Sequence, residues 1–222
     1  MNNIAKCSAI CLLLSAVATA AYAQAGSSAP VSSDKNEIGL VIGATLTPSV
    51  ARQGGGDVKL NSSLALGAEY DRRLIGHHTA LYGGVDFLAS PFDVKASFPP
   101  ANVSPEYAYL VLTPHVRVKF NADGTWEPWL LFGGGYANFA PKEPATRNVN
   151  VTGSGSTGAL VFGGGIDTKP LVHLSLPVVG NLPIAARFEV RDFLSGQPNY
   201  GVPTASSLQN NVAFTGGLLL RF

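Results

Sequence analysis

The chain has 222 residues, with 15 Lys and Arg against 14 Asp and Glu and a formal net charge of +1, which excludes the broad basic footprint of a nucleic-acid or anionic-surface binder. Charged residues are only 13% of the sequence, about half the share usual in a soluble globular protein, so something other than water is expected to cover part of the surface. Beyond residue 23 no run of about 18 apolar residues occurs, which excludes an ordinary membrane-spanning helix.

Residues 1–23 have the pattern of a secretory signal. Lys6 supplies the positive start, Cys7 to Ala20 the short apolar run, and Ala21-Tyr22-Ala23 the small-x-small cleavage pattern, so the mature chain is expected to begin at Gln24. Cys7 and Cys11 both fall in the removed segment, and no disulfide is expected afterwards. Residues 24–36, rich in Ala, Gly, Ser and Pro, are expected to form a flexible periplasmic lead-in.

From residue 37 to residue 222 the period is two. Eight strands are predicted, at 37–46, 62–73, 78–89, 107–119, 127–139, 158–169, 184–193 and 210–222. Most are close to the 9 to 11 residues that cross a bilayer at the usual tilt. Export, sparse charge, many glycines and no spanning helix together predict an all-β fold, an eight-stranded antiparallel transmembrane β-barrel. The connections agree in part. Those at 47–61, 90–106, 140–157 and 194–209 are long and polar, whereas 74–77 and Asn121-Ala-Asp-Gly-Thr-Trp126 are short, the latter with an Asp-Gly turn signal. Residues 170–183 break the alternation: the segment is too long for a tight turn, and its Val and Leu predict either extension of both flanking strands below the membrane or shifted strand boundaries.

Parity sorts the side chains into two sets. Ile38, Leu40, Ile42, Leu64, Leu66, Leu81, Val85, Phe87, Leu110, Leu112, Val116, Val118, Leu160, Phe162, Phe188 and Val190 would face lipid. The opposite parity collects Glu69, Asp71, Arg73, Asp86, His115, Arg117, Lys119, Asp167, Lys169, Arg187, Glu189, Arg191 and Arg221. A basic residue on the lipid face near the midplane would cost roughly 2 to 4 kcal/mol, and an eight-stranded interior is about wide enough for side chains. Glu69, Asp71, Asp86, His115, Arg117, Asp167, Arg187, Glu189 and Arg191 are therefore expected to pair as an interior charge network, either as a stiffening plug or as the lining of a narrow ion path. Asp192 takes the lipid-facing parity, close to an outer rim. Phe120, Trp126, Trp129 and Phe222 at one end, and Phe92, Phe139 and Phe193 at the other, are placed as interfacial girdles.

The last strand puts Val212, Phe214, Leu218, Leu220 and Phe222 on one side and stops at an aromatic residue. In this it resembles the C-terminal strand of bacterial outer-membrane barrels. Phe132-Gly-Gly-Gly-Tyr-Ala-Asn-Phe139, Phe162-Gly-Gly-Gly-Ile-Asp167 and Arg187-Phe-Glu-Val-Arg-Asp-Phe193 likewise resemble the later strands of the small β-barrel domain shared by OmpA-like proteins. The resemblance implies an outer-membrane location among lipid and lipopolysaccharide, and handling by periplasmic chaperones and the barrel-assembly machinery. It also implies that Phe214, Leu218, Leu220 and Phe222 serve as the assembly signal. The family's peptidoglycan-binding role is not expected here, because the barrel pattern runs to the last residue.

Motifs that suggest chemistry have poor contexts. Gly153-Ser-Gly-Ser-Thr-Gly158 matches G-x-G-x-x-G but leads into a strand rather than opening a helix. His173-Leu-Ser175 resembles the His-x-Ser pair of lipid A deacylases, with the hydroxyl as nucleophile and the imidazole as base, yet parity puts it at the periplasmic end with no acidic partner close in sequence. His115 is expected to be a hydrogen-bonded interior residue, and His77-His78 lack further ligands nearby. The expectation is a non-enzymatic outer-membrane barrel with a structural and surface-interaction role through its loops, monomeric, without metal, cofactor or nucleic acid, its surface ligand unnamed. The alternatives are a narrow pore for small solutes or ions, and a lipid-modifying enzyme.

Overall fold

A computed structural model describes residues 35–51, 53, 55–60, 62–97, 106–122, 124–141, 155–176, 180–197 and 203–222. The expected signal, residues 24–34 of the lead-in, and much of 90–106 and 140–157 lie outside these residues. Eleven strands follow in order: β1 (Asn36–Leu46), β2 (Val50–Ala51), β3 (Asp57–Leu60), β4 (Ser63–Gly76), β5 (Ala80–Ser97), β6 (Glu106–Lys119), β7 (Trp126–Pro141), β8 (Gly155–Thr168), β9 (Val172–Leu176), β10 (Gly180–Gly196) and β11 (Leu208–Arg221).

Eight of them close on themselves. Antiparallel pairing runs β1, β4, β5, β6, β7, β8, β10, β11 and back to β1, so no stave has a free edge over the length it shares with its neighbours. Beyond the last ladder pair, the Asn36 N–H donates to the Phe222 carbonyl and the Phe222 N–H to that of Asn36, each at 2.9 Å, so the two ends of the barrel chain seal the seam. Paired residues followed once round the wall lead from Asn36 through Arg72, Gly83, Val116, Phe132, Phe162, Asp192 and Val212 to Leu46, ten residues further along β1. Strands in such a wall incline about 35 to 45° to the axis and leave an interior filled by side chains.

The short turn at 77–79 needs the positive φ of Gly76 (88°), and the turn at 120–125 uses Asn121 at φ 52°, its amide donating to the Trp126 carbonyl at 3.2 Å. Both turns, Asn36 and Phe222 lie at one end, here the turn end, where the β8–β10 connection also begins and ends; the β1–β4, β5–β6, β7–β8 and β10–β11 connections leave the other, the loop end. Three features differ from the sequence expectation. β5, β7 and β10 run on to Ser97, Pro141 and Gly196, because pairing continues past the apolar band. The connection 47–61 holds the β2–β3 hairpin, which β3 joins to the extension of β5. The anomalous 170–183 segment holds β9, which pairs with Gly180–Ile184 and extends β10 alone beyond the turn end of β8.

Candidate functional site: the barrel interior

Parity decides what enters the lumen, and the outcome is layered. At the turn end, Lys119 of β6 reaches Glu37 of β1 (2.7 Å), Asp167 of β8 (2.9 Å) and Glu127 of β7 (3.3 Å). Arg221 of β11 grips Glu127 with both terminal nitrogens, at 2.9 and 2.5 Å. The planar fork of arginine matches a carboxylate in this way and fixes its orientation.

One layer deeper, Arg187 of β10 holds Asp167 through Nε and Nη2, both at 2.8 Å, and Glu69 of β4 through Nη1 at 2.6 Å. Arg117 of β6 bridges Asp71 (2.6 Å) and Glu69 (2.5 Å). Trp129 of β7 lies beside both guanidinium groups, its ring centre 4.3 Å from Arg117 and 5.3 Å from Arg187, and its indole N–H donates to Asp167 at 3.1 Å. His115 sets Nε2 2.8 Å from Asp71. Above these, Arg191 of β10 meets three carboxylates: Asp86 and Glu189 at 2.5 Å each, and Glu69. Thr215 donates to Glu189 at 2.5 Å and Thr113 to Asp86 at 3.3 Å.

Every residue of the expected network is in this assembly, and all are buried. Two acids central to it, Glu37 and Glu127, were not named. Each is the first residue of its predicted strand and shares the inward parity of the charges, so strand parity carried to the element boundary is the signal that places them inside. Other expectations need correction. Lys169 lies past the end of β8 and is exposed, and Arg73 is only half-buried. Trp129, Phe139 and Phe193 are interior residues, not girdles, because they follow the parity of Glu127 and Arg191. Phe120 and Trp126 do lie outside at the turn end.

The loop-end half of the lumen is apolar. Ala65, Leu88, Tyr109, Val111, Leu131, Ala137, Phe139, Val161 and Phe193 belong to one buried cluster, with the Tyr109 and Phe139 rings 4.8 Å apart. A polar rim caps it: Thr47 and Gln209 both donate to the Asn211 side-chain oxygen at 2.9 Å. Glycine creates the room at two places. A Cβ on Gly165 would come within 2.5 Å of the Trp129 indole, and one on Gly84 would collide with Asp71.

Outside, Leu40, Ile42, Leu66, Leu112, Val116, Leu130, Phe132, Leu160, Phe162, Phe188, Val190, Phe214 and Leu218 are exposed as large apolar side chains around the whole wall. A closed wall with its charges inside and its apolar residues outside is made for lipid, since closure pairs the strand edges that an open sheet would expose in the hydrocarbon. The chain is an eight-stranded transmembrane β-barrel. Among solved structures the barrel is similar to Neisserial surface protein A, at 10% identity over 84% of this chain and 97% of that one with a TM-score of 0.49. It is similar also to the outer membrane protein OprG from Pseudomonas aeruginosa, at 14% identity, 86% and 97% coverage and a TM-score of 0.49. A further similar structure is Ail, the attachment invasion locus protein of Yersinia pestis, at 17% identity, 85% and 99% coverage and a TM-score of 0.40. These likenesses concern the fold. No family model and no curated protein matches the sequence.

The residues weighed for catalysis or metal binding lie apart from the network. His173 and Ser175 are exposed on β9, where the Ser175 hydroxyl donates to the Asn181 side-chain oxygen at 3.4 Å. His77 and His78 are exposed in the 77–79 turn. Among the described residues no group of three His, Cys, Asp or Glu is placed to hold a metal ion.

Proposed function

We propose that the barrel is a closed, non-enzymatic scaffold of the bacterial outer membrane, and that it acts through surface interactions of its loop-end connections, 90–106 and 140–157 foremost. The observation that carries this reading is the filled lumen. Trp129, Arg117, Arg187, Arg191, Lys119, Phe139 and Phe193 are all fully buried inside the wall, so a charged layer and an apolar layer lie in series across any axial path. The charged layer is also closely interpaired. Seven buried carboxylates (Glu37, Glu69, Asp71, Asp86, Glu127, Asp167, Glu189) face five buried Lys and Arg side chains, with His115 beside Asp71 and Arg73 near the turn-end mouth. An ion filter would instead present unpaired charge of one sign along an open path.

In this reading the turn end faces the periplasm, the loop end faces outward, and the monomeric barrel contacts lipid and lipopolysaccharide after delivery by periplasmic chaperones and the assembly machinery. The test is single-channel conductance of the refolded chain in a planar bilayer, with insertion shown separately and folding shown by heat-resistant compact migration on a gel. A silent bilayer is expected. Steady conductance that changes with Arg187→Ala or Glu189→Ala would replace the scaffold with a pore.

A further inference from the structure

β10 carries two irregularities on its outer face. Near the loop end Asp192 takes the outward parity between Phe162 and Val212, half-buried, with Oδ1 lacking a hydrogen-bond partner. Past the turn end the same face does not become polar. It continues from Val190 and Phe188 through Ala186, Ile184 and Leu182, and then onto β9, where Val172 pairs with Ile184 and Leu174 with Leu182. Val172 is 59% and Leu174 44% exposed, values like the 57% of lipid-facing Phe188. The opposite face carries His173, Ser175 and Asn181, all exposed, beside Pro183 and Leu171.

The sequence of the ribbon fits lipid better than water. Residues 170–186 contain no Asp, Glu, Lys or Arg, and the sequence Leu176-Pro-Val-Val-Gly180 that joins β9 to β10 has no polar side chain. Hairpin tips in water favour Gly, Asn, Asp and Ser, as the 120–125 turn of the same barrel does. The lengths fit as well. The ten positions from Leu182 to Asp192 rise about 25 Å along the axis at the usual strand rise and tilt, the height of the apolar band of such barrels. On β7 the ten positions from Trp126 to Tyr136 mark a band of the same height. With Asp192 at the loop-side interface, the band on β10 is displaced toward the turn end, and the ribbon lies at its lower edge.

We propose that the outer face of the β9–β10 ribbon, Val172, Leu174, Leu182 and Ile184, is seated against the phospholipid of the turn-side leaflet, so that the barrel is tilted with Asp192 at the opposite interface. Lipid is the occupant because this face is continuous with the lipid-facing wall. The inference rests on the membrane reading, and the test keeps the two apart. The full chain, with Cys7→Ser and Cys11→Ser, receives a single nitroxide-labelled cysteine at Leu130, Leu174 or Ser175 and is reconstituted in phosphatidylethanolamine and phosphatidylglycerol vesicles. Heat-resistant migration confirms folding of each. Accessibility to oxygen, which concentrates in lipid, is compared with accessibility to a water-soluble nickel chelate. The ratio at Leu174 should approach that at Leu130 on the mid-wall and exceed that at Ser175 several-fold. Equal, water-like ratios at Leu174 and Ser175 with a lipid-like Leu130 overturn the ribbon's seat alone. A label at Leu174 shielded from both reagents also overturns it, in favour of a protein contact. A water-like Leu130 overturns the membrane reading itself.

Discussion

Replacing Arg187 with Met decides whether the lumen is dry. The substitution keeps most of the side-chain volume and removes two hydrogen bonds to Asp167 at 2.8 Å, one to Glu69 at 2.6 Å and the contact with Trp129. Removing one partner of a buried ion pair costs about 3 to 5 kcal/mol, because the remaining charge is left uncompensated. Here Asp167 keeps Lys119 and Trp129, and Glu69 keeps Arg117 and Arg191, so the lower end applies, about 3 kcal/mol or two decades in the folding equilibrium. In a wet pore the same pair would be worth about 0.2 to 1 kcal/mol and would be screened at 1 M salt, where the Debye length is about 3 Å. The assay is reversible urea unfolding of the barrel in lipid, at low and high salt, with Asp167→Leu and the double variant completing a cycle. The double variant should be more stable than the sum of the single losses implies, since neither charge is then stranded. A loss below about 1 kcal/mol that vanishes in salt and adds simply with Asp167→Leu would refute the dry, interlocked interior.

Three further outcomes follow from the same packing. Gly165→Leu should destabilise the barrel by at least as much as an overpacked core site, about 1 to 3 kcal/mol, because Trp129 occupies the space beside Gly165; a Trp129→Ala background should recover part of that loss in the same urea titration. Asp192→Leu should stabilise the barrel by about 1 kcal/mol in lipid, since a carboxylate with an unpaired oxygen leaves the outer face, and an unchanged unfolding midpoint would show that the Asp192 site is already in water. Deleting Phe222 removes two backbone hydrogen bonds at the seam, worth about 1 to 3 kcal/mol together. If the last strand is read during assembly, folded barrel should accumulate in cells far more slowly than that loss explains, as followed by heat-resistant migration over time.

The wall and its contents differ in how far the sequence reveals them. A period-two pattern assigns each side chain to a face before any partner is known, so Glu69, Asp86, Arg117, Arg187 and Arg191 were legible as interior residues from their neighbours alone. Their partners were not. Register depends on the stagger of the closed wall, and nothing local in the sequence says that Lys119 meets Glu37 across 82 residues. The aromatic residues failed for a related reason. Trp129 and Phe193 lie near strand ends, where girdles occur, but depth along a strand and face of a strand are independent coordinates, and here the face decides burial. The Val and Leu of 170–183 pointed to strand extension past the turn end, which β10 makes; that β9 rather than β8 supplies its partner there depends on a pairing no local signal specifies.

The choice of ion pairs over an apolar filling has a consequence before the barrel exists. Strands that alternate charge with apolar residues never accumulate the run of about 18 apolar residues that would read as a membrane helix, so the chain can be exported without being retained as one. The same charges bear on closure of the barrel. Glu37 lies on β1 and Arg221 on β11, the two strands that meet at the seam, and their partners Lys119 and Glu127, themselves paired, come from β6 and β7 across the wall. That layer is complete only when the seam is closed, which links satisfaction of the interior charges to closure of the barrel and disfavours an open sheet or a slipped register. A slip of one residue at the seam would reverse the face of one of the two strands and turn either Glu37 or Arg221 to lipid, so the buried charges favour one register even where an apolar filling of equal volume would be as stable.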